Sequence, residues 1–487
     1  MTFDMRARAE RAMRAMGFEP SIPEQIASTA TEHCADASIA ADLRHLLWSS
    51  IDNDDSRDLD QIEYVEELSD GSMRVLVGIA DVDACVPKGC PIDDFASEQT
   101  TSVYTGVEVF PMLPAVLSFG RTSLLPGEDR LAVVTEMCVS QDGVVREARS
   151  YRAHVRNKAK LSYDEVGEWL EGRAGLPESI SSVPGLAEQI RAQDRAAGYL
   201  IQERQRAGAL DFETVEAIPV VADGHVSGLS WHSKNRARYL IENFMISANT
   251  SLSGVLSALR SPSIQRIVRK PERWARIVAI ARATGDTLPE EPDSAALAAF
   301  MVRRRSIAPD RYAELSLAIV KLLGPGEYAV SRSGAPPLEH FGLAVHGYTH
   351  STAPNRRYVD VVIQRLFKAA ERGERPPYTL DELDAIADRC NERANAARKV
   401  ERLMRKVAAA VLLSNRVGDI FDAVVTGASP KGIYVRLLDP PAEGRVTRGE
   451  AGLDVGDRLK ARLIRTDAEN GFIDFANEGE YGVVNHA

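Results

Sequence analysis

The feature that most restricts the fold of this chain is a dense group of acidic residues between two apolar, strand-like stretches. Residues 52–60 contain five aspartates and lie between the apolar residues 46–48 and the strand-like residues 62–65. Carboxylates packed this closely repel one another, and burying them beside a core is costly unless a cation lies among them. Hard divalent cations such as Mg²⁺ prefer oxygen ligands. We therefore predict that the chemistry of the protein is located here.

Three interpretations of this acidic run are open from its residues. If the run ends in an extended conformation, Asp58 and Asp60 point to the same face, and Asp52 can approach them around one or two Mg²⁺ ions. Counted from Asp52, the oxygen-bearing residues also have the spacing of an EF-hand calcium loop. That loop requires Gly at its sixth position, where this chain has Arg57, and its flanks are helices rather than strands. The third interpretation is a solvated acidic turn.

Composition places the chain among globular proteins without a membrane segment. Its 487 residues are 44% hydrophobic with a net charge of −11, and no apolar run approaches the ~20 residues that cross a bilayer. The five cysteines are odd in number and lack CxxC spacing, so we predict reduced thiols and a cytoplasmic protein with no membrane contact. The acidic balance argues mildly against nonspecific coating of nucleic acid but is compatible with a basic channel.

The sequence pattern changes along the chain and divides it into three regions. The first 45 residues predict short helices, which form either a helix-turn-helix-like unit or a packing appendage. Apolar β-branched runs then predict strands up to about residue 152, and helical periodicity dominates from 163 to 416, including a long helix over Leu380–Asn415. Short, evenly spaced strands at the end suit a closed barrel of OB type. The prediction is an α+β chain with a helical N-terminal region (1–45), a large mixed α/β domain (46–416) and a small all-β barrel (417–487).

A second polar group lies far downstream of the acidic run. The stretch from His340 to Tyr358 combines an apolar strand, a Thr/Ser/Pro turn and the pair Arg356-Arg357 just before a helix. A guanidinium at a helix start offers fork-shaped, permanently charged donors for a phosphate, and the backbone N–H groups there add to the effect. Structural ion pairs are the alternative role for both arginines.

Five stretches resemble, in the same order, successive motifs of the ribonuclease II family; they are residues 52–60, 79–82, 110–114, 241–249 and 340–358. The resemblance spans a catalytic RNB domain over residues 46–416, and the barrel resembles the S1 domain that follows it. It implies a processive, hydrolytic 3′→5′ exoribonuclease that degrades single-stranded RNA to nucleoside 5′-monophosphates. It also implies dependence on one or two Mg²⁺ ions, with Mn²⁺ as a substitute, and we expect a monomer.

The resemblance assigns catalytic roles to four residues. Asp52, Asp58 and Asp60 match the metal-binding aspartates of the family. Arg356 matches the arginine that stabilises the phosphate in the transition state, a role that suits a guanidinium on physical grounds as well. These four residues are the predicted catalytic centre.

Six further residues are predicted to contact RNA. Tyr104 is placed like the tyrosine that stacks on the terminal base, an interaction that every base can make. Glu401 falls where the family has a glutamate near the RNA end, and an ion pair with a neighbouring arginine of its helix is the alternative. The remaining predicted contacts are Arg357 beside the catalytic arginine, and Phe421, Tyr434 and Lys460 on the barrel. Core packing or ordinary surface charge is the alternative for the barrel residues.

The chain departs from the family pattern in two ways. Gln61 stands where the family usually has a fourth aspartate, so we predict that it is an amide ligand in a weaker second metal site, with Asp54 or Asp55 compensating. Many bacterial members have two cold-shock domains before the catalytic domain, whereas 45 residues precede it here, so we expect a more open entry that tolerates structured RNA. The rival prediction is an RNA-binding protein on an RNB scaffold whose catalysis has decayed, with Gln61 as the first sign.

Overall fold

A computed structural model describes residues 3–30, 40–213, 216–222, 225–232, 234–429 and 432–480. Its helices are α1 (Met5–Ala15), α2 (Glu24–Ala27), α3 (Pro91–Gln99), α4 (Tyr163–Leu170), α5 (Glu178–Ser181), α6 (Leu186–Arg206), α7 (Arg236–Ala258), α8 (Trp274–Ala283), α9 (Ser294–Ile307), α10 (Tyr312–Leu323), α11 (Tyr358–Glu371) and α12 (Leu380–Leu413). Its strands are β1 (Ala41–Asp42), β2 (Ser49–Asp52), β3 (Gln61–Glu67), β4 (Met73–Ala80), β5 (Val103–Tyr104), β6 (Val109–Phe110), β7 (Asp129–Val139), β8 (Val145–Arg156), β9 (Ala159–Ser162), β10 (Glu216–Ala222), β11 (His225–His232), β12 (Ser263–Ile267), β13 (Glu327–Ser331), β14 (Glu339–His340), β15 (Val345–His346), β16 (Ile420–Ser429), β17 (Gly432–Leu437), β18 (Glu443–Arg448), β19 (Arg458–Asp467) and β20 (Phe472–Glu480).

A seven-stranded mixed sheet forms the centre of the large domain, in the order β1-β8-β7-β4-β3-β2-β9. The outer pairs β1–β8 and β2–β9 are parallel, and the pairs between them are antiparallel. Strand β4 is almost entirely apolar because helices cover both faces of the sheet. On one face Leu76 shares a core with Leu366 of α11, and on the other Val75 shares a core with Phe244 of α7.

Helix α12 connects the large domain to the C-terminal barrel. It begins at Leu380, as predicted, because Thr379 and Glu382 form a capping box. Its 34 residues extend about 50 Å, so its start, middle and end reach different cores. Leu383 belongs to the core under α11, Met404 to a core shared with α1, and Leu413 to the core of the barrel.

The C-terminal strands close into a barrel in the order β16-β17-β18-β20-β19. Its interior contains Val435, Leu459 and Phe475, and the end of α12 covers one opening through Leu413. Alternation of buried and exposed residues along β18 and β19 is the pattern expected for strands with one face inside a barrel. The predicted α+β class with an OB-type barrel is confirmed.

The N-terminal region packs on the long helix. Asp4 caps α1, whose Ala9 and Met13 share a core with Val400 of α12. This contact favours the packing appendage over the helix-turn-helix-like unit. The sequence predicts a second short helix over residues 23–33; the structure has the single turn α2 there, and residues 31–33 of the prediction lie outside the described residues.

The part of the chain predicted to be mainly helical also contains hairpins. Strands β10 and β11 pair antiparallel, as do β12 and β13. A signal for the first hairpin was available, because Asp223-Gly224 is a favoured two-residue turn sequence between apolar stretches. The long helical periodicities on either side of these short strands obscured it.

Two findings bear on the predicted location. Cys90, Cys138 and Cys390 are free thiols, whereas Cys85 is disulfide-bonded, which corrects the prediction for that residue. Among the described residues, no helix is both long enough and apolar enough to cross a lipid bilayer. The cytoplasmic location stays a prediction.

Candidate active site

The acidic run forms the loop between two adjacent antiparallel strands. Asp52 ends β2 and Gln61 begins β3. Strands on both sides exclude the helix–loop–helix setting of an EF-hand, and a buried Asp60 excludes a wholly solvated turn. Lys160 of β9 donates to the backbone carbonyls of Asp54 (2.6 Å) and Ser56 (2.8 Å), so a cation holds the loop through its main chain.

Asp60 is the most deeply buried of the predicted catalytic carboxylates, with 2% of its surface exposed. Its oxygens accept hydrogen bonds from the backbone N–H of Asn355 (2.9 Å) and from Arg356 Nε (3.4 Å). Burial raises the pKa of Asp60 to about 7, although Arg356 and the Asn355 N–H both act to lower it. The carboxylate is therefore only partly compensated by the protein.

Asp52 is the last residue of β2 and is half-buried. Its Oδ1 accepts hydrogen bonds from the backbone N–H of Asn53 (2.7 Å) and from Ser56 Oγ (3.0 Å). Burial raises the pKa of Asp52, and these two donors together with Arg356 oppose the shift. Asp52 and Asp60 thus lie within the field of one guanidinium.

Arg356 reaches the acidic loop because of the segment that precedes α11. The backbone carbonyl of Arg356 accepts a hydrogen bond from the N–H of Ser102 (3.0 Å), and the N–H of Tyr358 donates to the carbonyl of Thr100 (2.8 Å). The segment before β5 is thereby joined to the start of the helix. These bonds set the position of the guanidinium beside Asp60.

Tyr104 and Asp58 are in direct contact. The Tyr104 hydroxyl donates to Asp58 Oδ2 at 2.6 Å, and the backbone N–H of Tyr104 donates to Glu401 Oε1 at 3.4 Å. Tyr104 is 37% exposed as a whole residue, so part of it is accessible while its hydroxyl is held. Sequence reasoning grouped Tyr104 with RNA contacts and did not anticipate its bond to a predicted metal ligand.

Gln61 and Glu63 lie on the same face of β3, directed away from α11. Gln61 is 6% exposed, and its amide makes a long contact of 3.5 Å to the carbonyl of Ile51. Glu63 is fully buried, and neither of its carboxylate oxygens has a hydrogen-bond partner among the described residues. Burial and then Asp52 raise its pKa well above the usual value. Glu63 was missed as a site residue, although a glutamate inside an apolar strand is an available signal.

Asp54 and Asp55, which were expected to compensate for Gln61, are exposed.

The donor chemistry of this centre fits a hard divalent cation. In the described ranges, no three His, Cys, Asp or Glu side chains are already gathered as a metal site. The residues that converge offer carboxylate oxygens, which Mg²⁺ prefers, and burial raises the pKa of both Asp52 and Asp60. A cation bound there would offset the electrostatic cost of burying the Asp52 and Asp60 carboxylates. Asp52, Asp58 and Asp60 are the residues that would hold it.

The other predicted RNA contacts divide into three situations. Arg357 makes two hydrogen bonds, of 2.8 and 2.9 Å, to the buried carboxylate of Asp360, which is the structural ion pair left open as an alternative. Tyr434 is 37% exposed on β17, and Lys460 on β19 pairs with Asp422. Phe421 is buried in the barrel core under Arg416, so its ring is not available for stacking, and core packing corrects the prediction for that residue.

Known proteins resemble this chain over nearly its whole length. The RNB domain family matches residues 40–373, and the family of C-terminal S1 domains of RNase II-type exonucleases matches residues 419–478. Ribonuclease R of Escherichia coli (strain K12) is 30% identical over 498 residues, which cover 94% of this chain and 60% of that protein. Ribonuclease R of Vibrio parahaemolyticus is 30% identical and covers 93% of this chain and 58% of that protein. The chain thus spans about three fifths of the length of these relatives.

Solved structures show the same fold. The apo form of Mycoplasma genitalium RNase R matches with a TM-score of 0.87 at 24% identity, covering 97% of this chain and 78% of that one. The same protein in complex with ribose-methylated single-stranded RNA matches with a TM-score of 0.86 at the same identity and coverage. Both the RNB-type domain and the barrel are included in a match of this coverage.

Proposed function

This chain belongs to the RNB-domain family, and we propose that it is a Mg²⁺-dependent 3′→5′ exoribonuclease acting on single-stranded RNA. We further propose that it is processive and releases nucleoside 5′-monophosphates. The observation that carries the proposal is the contact between Asp60 and Arg356, which lie 296 residues apart in sequence and 3.4 Å apart in space. This contact brings the acidic loop and the arginine segment to one centre.

The residues of this centre have complementary tasks in phosphodiester hydrolysis. Arg356 would stabilise the negative charge that develops on the phosphate oxygens, since its guanidinium is permanently charged, lies beside Asp60 and is 48% exposed to an incoming phosphate. Its bond to Asp60 keeps it oriented before substrate arrives. A bound divalent cation would lower the pKa of a water molecule and neutralise charge on the phosphate.

The terminal nucleotide has a candidate platform in Tyr104. Tyr104 is 37% exposed beside the acidic loop. Stacking of an aromatic ring on a base is worth ~1–3 kcal/mol without sequence preference. Exposed Tyr434 on the barrel offers a second stacking surface further from the centre. Mycoplasma genitalium RNase R, whose structures in complex with ribose-methylated single-stranded RNA and with double-stranded RNA have been solved, shares this fold, which supports RNA as the ligand class.

The rival function is RNA binding without cleavage on the same scaffold. Gln61 is the observation that favours it, because a buried amide without negative charge occupies a position predicted to bind metal. The presence of Asp52, Asp58 and Asp60 with Arg356 in one centre favours the enzyme, since a structural role rarely requires so many clustered carboxylates.

The test is digestion of a 5′-labelled single-stranded RNA by the full chain, with and without Mg²⁺. The proposal expects a ladder that shortens from the 3′ end only with the metal, and no shortening by an Asp60→Asn variant or on DNA of the same sequence. Binding without shortening supports the rival. A hairpin with varied 3′ overhangs, run in parallel, measures the predicted tolerance of structured RNA, and the predicted monomer is measured by sedimentation.

A further inference from the structure

We propose that Tyr104 is a positioning residue for Asp58 as well as a platform for the terminal base. The inference rests on the proposed function and deepens it. The Tyr104 hydroxyl donates to Asp58 Oδ2 at 2.6 Å, which is in the range of charge-assisted O–H···O⁻ hydrogen bonds. One aromatic side chain therefore connects the place where a base stacks with a predicted metal ligand.

Asp58 depends on this bond more than the other two aspartates depend on any single side chain. Asp52 is held by the backbone N–H of its neighbour Asn53, and Asp60 by the backbone N–H of Asn355. Among the residues that the structure describes, the donor that holds Asp58 is the Tyr104 hydroxyl. Without this bond the carboxylate would be free to rotate, because no second donor to it lies among those residues.

Tyr104 can orient a carboxylate because its own backbone is anchored. Its N–H donates to Glu401 on α12, and two residues earlier the N–H of Ser102 donates to the carbonyl of Arg356. Thr101 also bonds that carbonyl through its hydroxyl at 3.1 Å. The tyrosine, the catalytic arginine and, through the hydroxyl, Asp58 therefore form one connected unit.

The hydrogen bond leaves a defined part of Asp58 for a cation. Oδ2 is engaged by the hydroxyl, while Oδ1 has no hydrogen-bond donor in the described ranges. A carboxylate already fixed in orientation loses less conformational freedom when it binds a cation. Removal of the hydroxyl should therefore weaken cation binding, while the ring continues to stack on the base.

Three variants separate the two roles. Tyr104→Phe retains the ring and removes the hydroxyl, and Tyr104→Ala removes both. Tyr151→Phe is the matched control, because the Tyr151 hydroxyl donates to Glu136 at a similar distance of 2.7 Å on the sheet and away from the catalytic loop. Thermal unfolding checks each variant, and Tyr104→Trp, which also lacks the hydroxyl, replaces Tyr104→Phe if that variant does not fold.

Two measurements that need no hydrolysis are made on the full chain. Electron paramagnetic resonance measures Mn²⁺ binding without RNA, and fluorescence quenching of a 3′-terminal 2-aminopurine in RNA measures stacking in EDTA. Tyr104→Phe is expected to bind Mn²⁺ up to roughly tenfold more weakly, with quenching unchanged, because the Asp58 carboxylate is no longer held in one orientation before the cation binds. Tyr104→Ala is expected to lose both, and Tyr151→Phe neither.

Equal Mn²⁺ binding by wild type and Tyr104→Phe would overturn the inference, as would an equal loss in Tyr151→Phe. A wild-type protein that binds no Mn²⁺ would overturn it as well. Wild-type protein that binds Mn²⁺ with the expected dependence on Tyr104 but does not shorten RNA contradicts the proposed function alone. The two failures are therefore distinguishable.

Discussion

Two groups of buried carboxylates lie along helix α11, and the protein neutralises only one of them. Near the second half of the helix, Asp83 contacts both Arg365 (2.7 Å) and Lys368 (3.0 Å), and Lys368 also pairs with Asp81. Burial acts to raise the pKa of Asp83, but these cations lower it below its usual value. At the start of the helix, burial raises the pKa of Asp60 to about 7, although Arg356 acts to lower it.

The difference shows how identical residue types acquire different uses. A carboxylate with two cations in contact is a structural element, because its charge is already compensated. A buried carboxylate with a single, more distant guanidinium is still available to a cation or a substrate proton.

Replacement of Lys368 should mainly destabilise the fold. Lys368→Met leaves Asp81 and Asp83 buried with fewer cations, so the free energy of unfolding should fall by ~3–5 kcal/mol in urea titrations. The control is Arg195→Met, which removes an ion pair to Glu67 in which both side chains are about half exposed, and should cost less than about 1 kcal/mol. Equal losses in the two variants would contradict the structural role of the inner group.

Replacement of Arg356 should mainly affect the reaction. Arg356→Ala should lower kcat on single-stranded RNA by ~100–1000-fold, because one charge-stabilising donor is lost. Its loss of unfolding free energy should be much smaller than that of Lys368→Met. If Arg356→Ala lowers the free energy of unfolding as much as Lys368→Met does, Arg356 belongs with the structural group.

Stability should depend on pH through Asp60. Because its pKa is about 7 in the folded chain against 3.8 ordinarily, the folded state binds the proton more tightly. The contribution is fully present below about pH 4 and is lost as the pH rises through about 7, a fall on the order of 4 kcal/mol without divalent cations. Asp60→Asn should flatten this part of the profile. Profiles of the two proteins that run parallel from pH 4 to 7 would show that Asp60 titrates normally.

Restoring a carboxylate at Gln61 should strengthen cation binding without rebuilding the fold. Gln61→Asp should lower the Mg²⁺ concentration for half-maximal activity several-fold, an effect of about 1 kcal/mol, since a negative charge is added near Asp52. The measurement is a Mg²⁺ titration of the initial rate. Unchanged metal dependence and rate would show that position 61 is outside the metal site.

Much of the fold was predictable because its signals are local. The apolar run of β4, the capping box before α12 and the even spacing of the barrel strands each depend on neighbouring residues. The hairpins β10–β11 and β12–β13 were missed because short strands between long helical stretches give weak periodicity. The burial of Phe421 was missed for another reason, since an aromatic residue in a barrel strand faces inward or outward according to register.

The order of residues was enough to identify the chemical groups and the family. These are the aspartates of the acidic run, the paired arginines before a helix, and motifs in the order of the RNB domain. How each group is used depends on the folded structure. It buried Asp60 beside Arg356, tied Arg357 to Asp360, and placed the Tyr104 hydroxyl on Asp58. The physical reason is that the state of a charge depends on which groups surround it and how well water reaches it. Those surroundings come from segments far apart in the chain.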